Sequence, residues 1–292
     1  MKLSRLCLIL LLSAIIVFAF SCNNDSSSDD DDDDNDNNDS IDDDTNDDDT
    51  GDDDDNDVTP DPDDDDTGDD DDDIVDASLV FIHHSVGEIW IGDGGLTADL
   101  EAAGFSFYDI TYGDGWIGNH TYAWHWPTTF GEHYDEVLGW ELPGEQIHDV
   151  VMIKSCYPDS VINAVLLESY KGWYNEILEI FLQHPETGFL VITPPPHADD
   201  VTASAENIAR GREFAYWLTH EYATKADNVR VVDLAGYLND DFGFMHERTP
   251  ENAAYFYLRE ECESEPDDSH PTPACISAAN EETVTAALDL LP

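Results

Sequence analysis

Two short stretches of the sequence carry residues whose types and spacing could support nucleophilic catalysis. The run HHSVG at residues 83–87 contains Ser85, a candidate nucleophile. The run DDSHP at residues 267–271 places Asp267 three residues before His270. A serine nucleophile needs a base that accepts its proton and a carboxylate that holds the base in the right tautomer. Ser85, His270 and Asp267 are therefore candidates for a catalytic triad. The alternative is that Ser85 only caps the following turn, beside half-buried histidines.

The elements that must position these residues are typical of an open α/β sheet. Ser85 follows an apolar run at residues 78–82 that predicts a short buried strand, and such sheets bind ligands at the carboxyl ends of their strands. Further strands are predicted at residues 105–111, 149–153, 188–192 and 229–233, and helices at residues 96–103, 160–183, 202–223 and 277–290. Strands alternating with helices predict a three-layer α/β domain with a parallel sheet of about five strands.

An aromatic-rich stretch at residues 112–140 is predicted as a long insertion after the second strand. A loop of this length inside a domain is usually functional or disordered, and its many aromatic residues argue against disorder. Trp116, Trp124 and Trp126 are candidates for substrate binding because indole rings stack on the apolar faces of sugars. The alternative is that these rings form a small core beneath the insertion.

The order of these motifs resembles that of the SGNH (GDSL-like) hydrolase superfamily. That family has its nucleophilic serine after the first strand, an oxyanion glycine after the second, an oxyanion asparagine after the third, and an aspartate–x–x–histidine near its C-terminus. HHSVG takes the place of the first block, GWIGNHT puts Gly118 at the glycine of the second, and DDSHP matches the last. The resemblance implies a flavodoxin-like sheet, a cofactor-free Ser-His-Asp mechanism, and an oxyanion hole formed by the N–H groups of Ser85 and Gly118. The strings FIHHSVG, IKSCYPDS, ITPPP and DSHP look more narrowly like a divergent branch of exported proteins of this type.

The sequence departs from the family pattern at two blocks. The first block has no Gly-Asp-Ser, and the third reads KSCY at residues 154–157, without an asparagine. Lys154, Ser155 or a backbone N–H are the alternatives for the missing oxyanion donor. Asp268 could exchange roles with Asp267. Cys156 could be a thiol nucleophile, although a small buried residue is the simpler interpretation.

The N-terminal residues 1–22 are predicted to be a secretory signal, because two basic residues precede an apolar run at residues 6–20. The run ends at Ser21-Cys22, which resembles the bacterial lipoprotein box. We therefore expect Cys22 to carry the lipid that anchors the protein in the cell envelope, at the outer membrane or cell surface. Ordinary secretion with cleavage nearby is the alternative.

Residues 23–76 are predicted to be a disordered linker, since 31 of them are acidic and none is basic. A calcium-binding repeat is the alternative, but the segment lacks the regular glycines of such loops. Residues 77–292 form the predicted SGNH-like domain, which is long enough for one hydrophobic core. Nucleic-acid binding is excluded because the whole chain has 10 basic and 68 acidic residues.

Three cysteines, Cys156, Cys262 and Cys275, belong to the domain. An exported protein can oxidise such residues, and Cys262 and Cys275 are the predicted pair because they close a short loop. The eleven histidines lack the helical spacing of metal ligands, so no metal site is expected. The sequence thus predicts a surface-anchored serine esterase that cleaves acyl esters, with a carbohydrate or similar molecule as substrate. A non-catalytic glycan-binding or surface-interaction protein on the same fold is the alternative.

Overall fold

The computed structural model describes residues 77–198, 204–239, 257–266 and 268–292. The predicted signal with Cys22, the acidic segment at residues 23–76 and Asp267 lie outside these ranges, so what the sequence predicts for them remains a prediction. No helix within the described ranges is long and apolar enough to cross a membrane.

Five strands form one parallel sheet, which confirms the predicted fold class. The strands are β1 (Ala77–Ile82), β2 (Phe105–Ile110), β3 (Val150–Lys154), β4 (Gly188–Ile192) and β5 (Val229–Val232). Their order in the sheet is β2-β1-β3-β4-β5. Paired positions run up to Ile82↔Ile110 between β1 and β2, and up to Ile82↔Ile153 between β1 and β3. The segments that follow β1, β2 and β3 therefore start side by side at one edge of the sheet.

Helices cover both faces of this sheet, and the buried strand residues alternate between the two layers as a period of two requires. Val80 and Ile82 pack in one apolar layer, and Leu79 and Phe81 pack in the other. The first layer contains α3 (Gly115–Gly118), α4 (Trp126–Glu132), α5 (Tyr134–Leu138), α6 (Ala164–Phe181) and α7 (Ala205–Trp217). The second contains α1 (Val86–Ile91), α2 (Leu96–Ala102), α8 (Leu234–Leu238), α9 (Pro273–Ile276) and α10 (Asn280–Leu288).

The longest helix, α6, shows how local sequence sets an element. Asn163 caps its N-terminus, and the Asn163 side chain accepts hydrogen bonds from the N–H groups of Val165 and Leu166, each at 3.0 Å. Its apolar residues at helical spacing, Tyr170, Tyr174 and Ile177 among them, are buried against the sheet. The helix begins four residues later than predicted because residues 157–160 form a separate 3₁₀ turn.

Three other predicted elements differ from the observed ones. The stretch 112–140 is not one irregular insertion, since it contains α3, α4 and α5. The predicted helix at residues 202–223 changes from α7 to a π turn at Leu218–Tyr222. The predicted closing helix is divided: α9 is followed by a 3₁₀ turn at Ser277–Ala279 and then by α10. In the first case the burial of Trp126 and Phe130 under the sheet explains why these residues are ordered.

Candidate active site

Ser85 lies three residues after the end of β1, at the N-terminal boundary of α1, and is half-buried. Its hydroxyl makes no capping hydrogen bond to the helix, so the structure does not support the interpretation of Ser85 as a cap. Only its carbonyl takes part in the turn, where it accepts a hydrogen bond from Ile89 N at 3.1 Å. Within the described residues, Ser85 Oγ is therefore not committed to the helix that it begins.

The two histidines before Ser85 are buried in different surroundings. The ring of His83 packs beside Phe81, with 4.7 Å between ring centroids, and against Gly87, where an added Cβ would lie 2.4 Å from His83 Cβ. The His83 Nε2 atom is 3.4 Å from an Asp109 carboxylate oxygen. Burial, the larger effect, lowers the His83 pKa despite this carboxylate. Gly87 is therefore required for the close packing of His83 behind the nucleophile.

His84 connects the first motif with the second. Burial lowers its pKa to about 4, so the ring is neutral near pH 7. Its Nε2–H donates a hydrogen bond to the carbonyl of Gly118, and its ring stacks on Tyr112 with 3.6 Å between centroids. The predicted oxyanion glycine thus lies next to the segment that carries Ser85.

Only glycine fits at position 118, because a Cβ there would lie 1.9 Å from the carbonyl oxygen of Thr111. Its N–H donates to the carbonyl of Asp114 at 3.0 Å. In this structure the N–H that was predicted to stabilise an oxyanion is therefore engaged within α3. An oxyanion could recruit it only if this hydrogen bond opened or was shared.

The two third-block side chains lie on opposite faces of the sheet. Ser155 Oγ accepts a hydrogen bond from Trp126 Nε1 at 2.9 Å and is 3.0 Å from the hydroxyl of Tyr174. Lys154 is fully buried, and because it alternates with Ile153 of the first layer it lies on the face of Met152, in the second layer. Its Nζ donates to the carbonyl of Ser155 at 3.3 Å. Cys156 is buried and is not part of the disulfide. Of the two side chains that could replace the missing asparagine, that of Ser155 is thus already hydrogen-bonded within the first layer, which contains α6.

The segment that carries His270 is a hairpin closed by a disulfide. Cys262 and Cys275 are joined, with 5.6 Å between their Cα atoms, as the sequence predicts. Between them, Ser264 N donates to His270 O at 2.9 Å, and Thr272 N donates to Cys262 O at 2.6 Å. A covalent bond and two backbone hydrogen bonds therefore hold this segment, whose described residues 263–266 and 268–272 form no helix or strand.

A carboxylate contacts His270 within this hairpin. His270 Nδ1 is 2.7 Å from Asp268 Oδ1, and the same carboxylate accepts hydrogen bonds from His270 N at 3.1 Å and from Ser264 Oγ at 2.7 Å. Burial alone would raise the pKa of Asp268, but these hydrogen bonds outweigh it and lower the pKa. An ionised Asp268 accepts the Nδ1 proton, which leaves Nε2 of His270 as the basic nitrogen. The sequence assigned this position to Asp267, which lies outside the described residues.

Two contacts bring the hairpin to the same edge of the sheet as Ser85. Tyr157, which follows β3, has its ring edge-on to His270 with 5.9 Å between centroids. Helix α1, which begins after Ser85, packs against α9, which begins three residues after His270. Within the described residues Ser85 Oγ and His270 form no direct hydrogen bond, and catalytic hydrogen bonds are often long before substrate binds.

The three predicted substrate-binding tryptophans differ in surroundings. Trp126 is fully buried, so its assignment to substrate binding is wrong and it is a core residue instead. Trp116 is stacked between His120 and His133, with centroid distances of 4.2 and 4.5 Å, so neighbours cover both of its faces. Trp124 is 45% exposed and stacks on Tyr122. Only Trp124 among the three presents a large accessible surface.

Residues that the sequence analysis did not assign to the site also lie there. Tyr112 lies two residues after the end of β2, is 54% exposed, and stacks on His84. His197 packs edge-on to Tyr157 at 4.7 Å, and its Nδ1 is 3.3 Å from Ser269 Oγ in the hairpin. The sequence signal that could have identified both residues is their position shortly after the end of a strand. No group of three or more His, Cys, Asp or Glu residues that could hold a metal occurs in the described ranges.

Comparisons with known proteins give similarities in structure but not in sequence. No protein-family profile and no curated protein sequence matches the chain. A protein of Desulfitobacterium hafniense DCB-2 assigned to the G-D-S-L family of lipolytic proteins shares 16% identity at a TM-score of 0.45, covering 72% of this chain and 99% of that one. A Bacteroides fragilis NCTC 9343 protein assigned as an acylhydrolase shares 15% sequence identity at a TM-score of 0.41. The match covers 73% of this chain and 88% of that one. At such identities and TM-scores these similarities establish no activity for this chain.

Proposed function

We propose that this chain, whose motif order and five-stranded parallel sheet resemble the SGNH (GDSL-like) hydrolase superfamily, is a serine esterase. Ser85 is the nucleophile, His270 the general base and Asp268 the carboxylate that orients it. The observation that carries the proposal is the 2.7 Å contact between His270 Nδ1 and Asp268 Oδ1. This contact fixes the tautomer in which His270 Nε2 can accept a proton.

The proposed reaction has two steps. Ser85 Oγ attacks the acyl carbon while its proton passes to His270 Nε2, and the tetrahedral intermediate collapses as His270 returns this proton to the leaving alcohol. Water then attacks the acyl-enzyme with His270 again as base, which releases the carboxylic acid and restores Ser85. The proposed oxyanion donor from the first block is the Ser85 N–H, and the Gly118 N–H would join it only after leaving Asp114 O.

The proposed substrate is an acyl ester of a carbohydrate or a similar extracellular molecule. The exposed rings of Tyr112, which stacks on His84 beside Ser85, and of Trp124 support this part, since exposed aromatic rings can stack on sugar rings. The disulfide between Cys262 and Cys275 supports an oxidising compartment outside the cytoplasm. A lipid on Cys22 would then be the protein's contact with the membrane.

A glycan-binding or surface-interaction protein on the same fold is the second candidate. The observation that favours it is the engaged N–H of Gly118, because an esterase needs preorganised donors for the oxyanion. Such a protein would keep the exposed rings of Tyr112 and Trp124 without turning over an ester.

The test compares wild type, Ser85→Ala, His270→Ala and the double variant in hydrolysis of 4-nitrophenyl acetate and in labelling by a fluorophosphonate. We expect each single variant to lose about a thousandfold or more in kcat, and the double variant to be little worse, because residues that act together are not additive. Ser169→Ala and His220→Ala are matched controls on surface helical turns and should keep wild-type rates.

Two outcomes would contradict the proposal in different ways. A wild-type protein that hydrolyses no ester and takes no fluorophosphonate would favour the binding protein. An active wild type whose Ser85→Ala variant keeps its rate, while Cys156→Ala loses it, would show that the nucleophile is a thiol.

A further inference from the structure

Lys154 is a buried cation at the carboxyl end of β3, and the proposed mechanism gives it no role so far. It pairs with Ile192 of β4 and is fully buried. The β1–β3 pairing ends at Ile82↔Ile153, so the next position on β1, His83, lies beside Lys154. Lys154 and His83 therefore lie together at the edge of the sheet from which Ser85 emerges.

The ammonium group of Lys154 has more donors than the structure uses. An ammonium has three N–H donors, and the hydrogen bond from Nζ to the carbonyl of Ser155 is long, at 3.3 Å. Within the described residues no carboxylate forms an ion pair with it. Asp159, the carboxylate whose charge acts on Lys154, accepts instead from Ala123 N at 2.8 Å and from the hydroxyl of Tyr170 at 2.6 Å. A buried ammonium with unused donors is suited to receive a developing negative charge.

The position of Lys154 Nζ is consistent with a role in receiving this negative charge. Because Nζ bonds to the carbonyl that follows the last residue of β3, it lies at the carboxyl end of the strand and not deeper in the layer. The charge of Lys154 also contributes to lowering the pKa values of both His83 and His84, although burial is the larger cause. By the strand register and the hydrogen bond to Ser155 O, the amine lies near His83, two residues before Ser85.

We propose that Lys154 Nζ is a catalytic donor of the oxyanion hole, in place of the asparagine that the third block lacks. This inference rests on the proposed esterase function. As the bond from Ser85 Oγ to the acyl carbon forms, the carbonyl electron pair moves to the oxygen, and the ammonium stabilises that oxygen by a charge-assisted hydrogen bond. No proton is transferred from Lys154, and the interaction weakens again when the carbonyl re-forms.

The role predicts a loss of activity in alkali. Burial lowers the pKa of Lys154 to about 8, while the charges of Cys156 and Asp159 act in the opposite direction. His83 and His84, which face Lys154 from β1, have pKa values lowered by burial and are neutral in this range. Lys154 is thus charged below about pH 8 and neutral above it, so kcat should fall as the pH rises through this value.

The test measures kcat and KM of the exported full-length protein for 4-nitrophenyl acetate from pH 6 to pH 10, with the uncatalysed rate subtracted. The variants are Lys154→Met, which keeps the length of the side chain without donors, and Lys154→Gln, which keeps a neutral donor. We expect Lys154→Met to lower kcat by about a hundredfold or more with little change in KM, and to lose the alkaline decrease. Lys154→Gln should be intermediate and should also lose that decrease. Lys171→Met, on the surface of α6, is the control and should match wild type.

The outcomes separate this inference from the proposed function. A wild type without esterase activity would overturn both. An active wild type with a folded Lys154→Met variant of unchanged kcat would overturn the inference alone. If neither variant folds, the wild-type profile decides, because an active enzyme with constant kcat from pH 7 to pH 10 does not depend on a charged Lys154.

Discussion

At the scale of single residues, the carboxylate of Asp268 has three hydrogen bonds and the hairpin around it determines all of them. The pairing of Ser264 with His270 turns residue 268 toward the imidazole, and Ser264 Oγ completes the contacts. The spacing in the sequence could not distinguish Asp268 from its neighbour.

Asp268→Asn should therefore lower kcat by about a hundredfold to ten-thousandfold, because an amide can hold His270 in the wrong tautomer. The melting temperature should change little, since Asn has nearly the same size and still accepts hydrogen bonds. Asp267→Asn is the matched comparison and should cost less than tenfold. If Asp267→Asn lowered kcat more than Asp268→Asn does, Asp267 would be the residue that orients His270.

Other residues show what a sequence can predict about a site. Ser85 and His270 could be identified because a polar residue after a buried strand and a histidine beside aspartates are local patterns. Trp126 could not be assigned correctly, because its burial depends on Ser155 and Tyr174, which are distant in sequence. The hydrogen bond of the Gly118 N–H could not be predicted either, since it depends on residues 115–118 forming a helix whose first turn reaches the carbonyl of Asp114.

At the scale of elements, the strands and the short helix α2 were predictable, but the three short helices of residues 112–140 were not. Strands β1, β3 and β4 are runs of mostly apolar residues buried on both faces, which is a strong local signal. Helices α3, α4 and α5 have four to seven residues, too few to be stable alone, and packing against the sheet holds them. Their sequences therefore carry little helical periodicity.

The disulfide-closed hairpin is the element whose loss should be most informative. The double variant Cys262→Ser/Cys275→Ser should lower the free energy of unfolding by ~3 kcal/mol on the loop-entropy view, for a sequence separation of 13. It should also lower kcat, because the segment that positions His270 is no longer closed. Chemical denaturation and ester hydrolysis measure the two effects. Cys156→Ala is the control for removing a cysteine outside the disulfide. Equal stability of the double variant and wild type would contradict a stabilising role of the disulfide.

At the scale of the whole molecule, the protein combines a domain with one parallel sheet and a long acidic N-terminal segment. The net charge of the chain is −58, and much of it comes from residues 23–76. The sequence predicts that this segment is a disordered linker between the domain and Cys22, the predicted site of the lipid.

Cys22→Ser should consequently move the protein from the membrane fraction to the soluble exported fraction, because no thiol remains for lipidation. Mass spectrometry of the wild-type N-terminus should find acyl chains on Cys22. Ser21→Ala, which keeps a small residue before the cysteine, should leave the protein in the membrane fraction. Unchanged membrane association of Cys22→Ser would contradict the lipoprotein prediction.

The alternation of side chains along β3 has a consequence for how such a protein can evolve. Lys154 and Ser155 are adjacent in the chain, but one lies beside His83 and the other between Trp126 and Tyr174. Inserting or deleting one residue in β3 would exchange their layers, placing an ammonium among aromatic rings and a hydroxyl beside the nucleophile's segment. Single substitutions can adjust the chemistry of this edge gradually, whereas changes of length in this strand should be eliminated by selection. Length variation among descendants of this gene is then expected in the connections between elements.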